Sequence, residues 1–165
     1  QAFLEKYQKY NGNCKFHMIG TLQPNKVKYI IDKVDLIHSV DSYSLIKEIE
    51  KQANKHNLVM KVLIQVNISK EESKHGFKVE EIEEVFDTLK NYPHIEVKGL
   101  MMMAPNIEAE KTREYFKLTQ DLFNQLKIKY PEYSLTELSM GMSNDYKIAL
   151  EYGATMVRIG SSLFK

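Results

Sequence analysis

Leu138-Ser139-Met140-Gly141-Met142-Ser143-Asn144-Asp145-Tyr146 and Thr155-Met156-Val157-Arg158-Ile159-Gly160-Ser161-Ser162 repeat one pattern: apolar strand, glycine, hydroxyl residues, start of a helix. Glycine lets the backbone turn tightly, and the first N–H groups of a helix beside a hydroxyl make a ready anion site. Ser143 alone reads first as the cap of a helix over residues 144–151. The recurrence of the pattern, with Arg158 on a strand between Val157 and Ile159, tips the balance. A guanidinium in a buried strand must be paired, either by an acid on a neighbouring strand or by a ligand. Ser139 to Ser143 and Arg158 to Ser162 are therefore expected to be two halves of one phosphate site at the ends of two neighbouring strands. Gly141 and Met142 belong to the first half, and Gly160 and Ser161 to the second.

Working outward, strand-like runs alternate with amphipathic helices along the whole chain. The runs cover residues 15–19, 35–40, 60–67, 95–101, 135–140 and 155–159, with Val, Ile, Leu and Met on consecutive positions, as in parallel strands covered on both sides. Between them, Leu45, Ile49 and Ala53 share a helical face, as do Val79, Ile82, Phe86 and Leu89, and then Phe116, Thr119, Phe123 and Leu126. Asp41 is placed to cap the first of these helices, and Pro24 suits the first turn of a short helix over residues 24–33. The alternation predicts a single α/β domain over residues 1–165 with a parallel sheet, and leaves open whether that sheet is doubly wound or a barrel. No internal repeat, linker or low-complexity segment interrupts it.

Composition narrows the classes. Of 165 residues, 43% are apolar and 27% charged, and the net charge is +1, so no basic excess points to nucleic acid. No stretch reaches the roughly 18 apolar residues of a membrane span. The single cysteine, Cys14, excludes an internal disulfide and fits a cytoplasmic setting. At the start, Gln1 to Tyr7 shows helical spacing with no initiator Met, N-cap or secretory signal, and this predicts a chain that lacks a preceding part.

The remaining candidates carry weaker signals. His17 and His38 sit on strands, with neither at a metal-ligand spacing from another residue, and each reads first as a structural histidine. Lys74 lies in a polar loop after the strand that ends at Asn67, where solvation is the default. Met101, Met102 and Met103 read as adaptable core, with Met103 at the strand end also placed to line the flat face of an aromatic cofactor.

Taken together, Phe16-His17-Met18-Ile19-Gly20-Thr21-Leu22-Gln23-Pro24-Asn25-Lys26, Ile37-His38-Ser39-Val40-Asp41, Gly99-Leu100-Met101, Leu138 to Ser143 and Val157-Arg158-Ile159-Gly160 resemble the pyridoxal 5′-phosphate (PLP) homeostasis protein family. The matches run in order over essentially the whole chain. The resemblance implies a TIM-type (β/α)8 barrel of the alanine racemase N-terminal domain type, here with about six of the eight strands. It implies PLP as cofactor and a non-enzymatic carrier or buffer that maintains PLP and amino-acid pools in the cytoplasm. Ser143, Gly160 and Ser161 would hold the phosphate, with Ser139, Gly141, Met142 and Ser162 nearby. Arg158 would stand beside the pyridine nitrogen, Met103 near the ring face, Lys74 near the pocket mouth, and His17 in the same region. The implied partners are PLP itself and PLP-dependent apoenzymes, without nucleic acid or membrane, in a monomer or weak homo-oligomer.

One family feature has no match. The family holds the aldehyde through a lysine in an Ala-Val-Ser-Lys type motif on its first barrel strand, and no such motif occurs in these 165 residues. Its place would lie before Gln1. Two enzymatic alternatives stand beside the carrier: a PLP-dependent amino-acid racemase on the same barrel, and a barrel enzyme acting on a phosphorylated metabolite.

Overall fold

In the computed structural model, which describes residues 2–10, 12–71 and 75–160, seven strands alternate with six α-helices. The strands are β1 (His17–Met18), β2 (Leu36–Val40), β3 (Met60–Asn67), β4 (Phe77–Lys78), β5 (Ile95–Met102), β6 (Glu137–Met142) and β7 (Met156–Arg158). The helices are α1 (Ala2–Lys9), α2 (Val27–Ile30), α3 (Tyr43–Lys55), α4 (Ile82–Leu89), α5 (Arg113–Lys129) and α6 (Tyr146–Glu151). All pairings are parallel, and the sheet runs β1-β2-β3-β5-β6-β7, with the two-residue β4 attached to β3. A doubly wound sheet reverses direction at a switch point. Here neighbours in the sheet follow the order of the chain, so each crossover turns the same way. The sheet is an open arc of barrel, with β1 and β7 at its two edges among the described residues.

Side-chain parity along the strands divides this arc into two faces. Ile37, Val62, Ile64, Val66, Val97, Leu100, Leu138 and Met140 face the helices. There they meet Leu45, Ile46, Ile49 and Ala53 of α3, Ile82, Val85, Phe86 and Leu89 of α4, and Phe116, Phe123 and Leu126 of α5 in one buried core. On the concave face Leu36, Leu63 and Met101 form a smaller buried cluster with Met156 against it. The concave face carries polar residues as well: His38, Gln65, Ser139 and Arg158 are all buried.

Local chemistry shifts several of the expected boundaries. Helix α3 is capped by Ser42, whose Oγ accepts from the Leu45 N–H, and not by Asp41, which stands beside His75 instead. The helix expected over residues 24–33 resolves into a 3-10 turn at Pro24–Lys26 followed by α2. Strand β6 extends to Met142, two residues past its expected end, and β4 was not foreseen at all.

At Gly99 the backbone of β5 lies directly beside that of β6. A Cβ there would stand 1.7 Å from the carbonyl oxygen of Glu137, a backbone atom that cannot move aside. Gly99→Ala is expected to lower stability by roughly 1–3 kcal/mol or more, measured by urea unfolding, because β6 must separate from β5 to admit the methyl group.

Candidate functional site

Parallel strands put all their C-terminal ends on one side of the sheet, and the loops that follow them converge there. At this end lies an open cavity of about 1340 Å³. Its wall includes Ile19 and Gly20 after β1, Gln65 to Asn67 at the end of β3, Met103 to Asn106 after β5, Met142 to Asp145 at the end of β6, and Met156 to Gly160. Ile19, Met103 and Met142 expose 46%, 42% and 42% of their surfaces and all three border this space. Unlike side chains that are exposed singly, they form apolar walls around one opening.

The floor is polar and hydrogen-bonded. Arg158 is 8% exposed; it donates through Nη1 to Ser139 Oγ at 3.3 Å and through Nη2 to the Met102 carbonyl oxygen at 2.8 Å. Its Nε–H has no partner among the described residues. Ser139 Oγ stands 2.9 Å from His38 Nδ1, and His38 Nε2 stands 3.0 Å from His17 Nδ1. Four side chains from β1, β2, β6 and β7 thus form one line across the barrel interior. No carboxylate lies within ion-pair distance of Arg158 among the described residues. Burial lowers its pKa to about 10, opposed by the charge of Asp145, so it stays cationic at neutral pH. Burial, then the proximity of His17 and Arg158, pushes His38 down from the ordinary 6.5 to about 4. His17 is also lowered, chiefly by burial.

The structure distributes the expected site residues unevenly. Ser143, Arg158, Gly160, Met142, Met103 and His17 all border the cavity. Ser139 and Gly141 do not: Ser139 is fully buried beneath Arg158, and Gly141 is buried within β6. Gly141 has φ +102°, and a Cβ there would lie 2.7 Å from the Ala149 Cβ, so its glycine serves the close packing of α6 on β6. The helix expected to begin after Ser143 begins at Tyr146, because the Asp145 carboxylate takes the Met142 N–H at 2.7 Å and holds residues 143–145 in a turn. Lys74, Ser161 and Ser162 lie outside the described residues. His38, first read as structural, borders the cavity as well as joining the chain. Its signal was present in the parity of β2, but its contacts depend on strand register. The described residues include no cluster of three His, Cys, Asp or Glu placed to hold a metal ion, and no helix long and apolar enough to cross a membrane.

The comparisons with known proteins agree with this geometry. The family described as "Alanine racemase, N-terminal domain" matches residues 4–165, which defines the class of barrel. A pyridoxal phosphate homeostasis protein of Aquifex aeolicus is 45% identical over 99% of this chain and 72% of its own length. One from Haemophilus influenzae is 35% identical over 99% of this chain and 71% of its own. PipY of Synechococcus elongatus, solved with PLP bound, superposes with a TM-score of 0.87 at 30% identity, covering 99% of this chain and 76% of that one. The alanine racemase of Clostridium difficile shares the fold at a TM-score of 0.76 and 14% identity, over 99% of this chain and 42% of its own. The chain belongs to the pyridoxal phosphate homeostasis protein family.

The depressed His38 has a consequence for stability. Between about 4 and 6.5 the unfolded chain takes up a proton that the folded protein refuses. Stability is therefore full above that window and falls as pH drops through it, by roughly 3 kcal/mol at its lower end. In a His38→Asn variant the fall in Tm from pH 6.5 to pH 4 should be markedly shallower; an unchanged slope would assign the acid sensitivity to other groups.

Proposed function

We propose that this protein binds PLP in the cavity at the C-terminal end of the sheet and serves as a non-enzymatic holder of the cofactor. The observation that carries the proposal is Arg158, a buried cation at the cavity with no carboxylate partner among the described residues. Among the described residues, two of its five N–H groups donate to protein atoms, and Nε–H donates to none. Such a group calls for an acceptor from a ligand. The cavity offers the rest of what PLP needs: apolar walls at Ile19, Met103 and Met142 for a flat ring, and polar backbone near Ser143 and Gly160 for a phosphate. A Cβ at Gly160 would meet nothing within 4 Å among the described residues, so their backbone leaves room for close approach there.

In this arrangement Ser143 and Gly160 hold the phosphate and Arg158 faces the pyridine nitrogen. Bound PLP supplies an electrophilic aldehyde on a ring that withdraws electrons when its nitrogen is protonated. A guanidinium donates a hydrogen bond to that nitrogen and keeps its own proton, which leaves the ring a poor electron sink. This favours holding the cofactor over turning over amino acids. The kinship with pyridoxal phosphate homeostasis proteins and the PLP-bound PipY structure support the same assignment. We assign the whole of residues 1–165 to this one binding domain, acting in the cytoplasm and delivering PLP to apoenzymes.

Equilibrium dialysis tests the assignment. Wild-type protein should retain PLP, and Ser143→Ala should weaken retention roughly ten- to a hundredfold, as expected for one lost hydrogen bond to a charged group. Equal retention by wild type and variant would remove Ser143 from the site. Alanine racemisation at enzyme-like rates would contradict the non-enzymatic role.

A further inference from the structure

We propose that His38, acting through Ser139, is the positioning residue that aims Arg158 at the cavity, and that the chain carries its protons in one direction, from Arg158 out to His17. The inference deepens the PLP-binding assignment and rests on it for the ligand, but its proton arrangement is a property of the free protein.

The direction follows from donor and acceptor counting. Arginine has donors only, so Ser139 Oγ must accept from Arg158 Nη1. The Ser139 hydroxyl proton then needs an acceptor, and the side chain is fully buried. Among the described residues its only other partner is His38 Nδ1 at 2.9 Å. His38 must therefore leave Nδ1 bare and carry its proton on Nε2. That N–H donates to His17 Nδ1 at 3.0 Å, which in turn places the His17 proton on Nε2. The reverse arrangement, with the His38 proton on Nδ1, would make Ser139 accept twice and strand its own proton in the interior. A cationic His38 would do the same and would add a second positive charge beside Arg158.

β1 pairs with β2 and β6 with β7, and β3 and β5 separate the two pairs in the sheet, so the His38–Ser139 bond spans the barrel interior. The hydrogen-bonded line gives Arg158 a second fixed point besides the Met102 carbonyl oxygen, so the planar guanidinium cannot swing about one contact. A histidine at position 38 thereby sets the ligand contact of a residue it never touches. Asparagine offers an acceptor close to where Nδ1 stands, whereas phenylalanine fills the space without one.

Nitrogen-15 NMR of the histidine side chains in the PLP-free protein tests the proton arrangement. At neutral pH, His38 and His17 should both show a protonated Nε2 and a bare Nδ1; a proton on Nδ1 of His38 would overturn the proposal whether or not PLP binds. PLP affinity tests the positioning. Ser139→Ala and His38→Phe should each weaken it roughly three- to tenfold, with His38→Asn restoring most of the loss. Equal losses for Phe and Asn at matched Tm would overturn the role of His38. Failure of the wild type to retain PLP, with the tautomers as expected, would reject the PLP assignment and leave the chain's direction standing.

Discussion

A buried guanidinium with no carboxylate partner among the described residues organises the inside of this barrel. Arg158 on β7 keeps its charge although burial disfavours it, and the surrounding protein meets it with neutral acceptors: the Met102 carbonyl oxygen and the Ser139 hydroxyl. Neutral acceptors hold the group in place without cancelling its charge, so that charge remains available to whatever enters the cavity. Had an aspartate stood where Ser139 stands, the interior would be more comfortably paired, and Arg158 would have less to offer a ligand.

The fold makes this economical. In a singly wound parallel arc, alternate side chains face the helices and the rest face inward, and the inward rows stack in layers. The lower layer is apolar, with Leu36, Leu63, Met101 and Met156, and it anchors the strands from within. One step toward the C-terminal ends, β2, β3 and β7 present His38, Gln65 and Arg158, and β6 adds Ser139 level with Met101 and Met156. The change from an apolar to a polar layer marks where core ends and binding floor begins. Gly99 and Gly141 serve the other face, letting β6 lie close to β5 and to α6. The phosphate-side residues Ser143 and Gly160 follow directly after β6 and β7, so their placement is fixed by the same two strands that carry Ser139 and Arg158.

Much of this was legible in the sequence. The strand–helix alternation gives the parallel α/β class, and six of the seven strands fall within two residues of their expected limits. The missing one, β4, is two residues long and too short to show a period. Arg158 stood out because a charge between Val157 and Ile159 contradicts its neighbours. The contacts of that arginine were not legible, because they depend on register. Ser139 pairs with Met156 and Met142 with Arg158 across an irregularity between them, and no one-dimensional pattern contains that shift. His17 and His38 each look like an isolated strand histidine until β1 and β2 are aligned, His17 opposite Leu36, which brings the rings together. The start of α6 was misplaced for a different reason: Ser143 and Asp145 are both residue types that begin helices, and residues 143–145 form a turn in which the Asp145 carboxylate accepts from the preceding Met142 N–H without capping α6 by its side chain.

A crystal structure of the protein with PLP tests the central claim most directly. The phosphate should lie against Ser143 and Gly160, with the pyridine nitrogen turned to Arg158 and the ring between the apolar walls of the cavity. PLP found instead at the opposite end of the sheet, among Lys15, Lys61 and Lys98, or with its nitrogen turned away from Arg158, would contradict it.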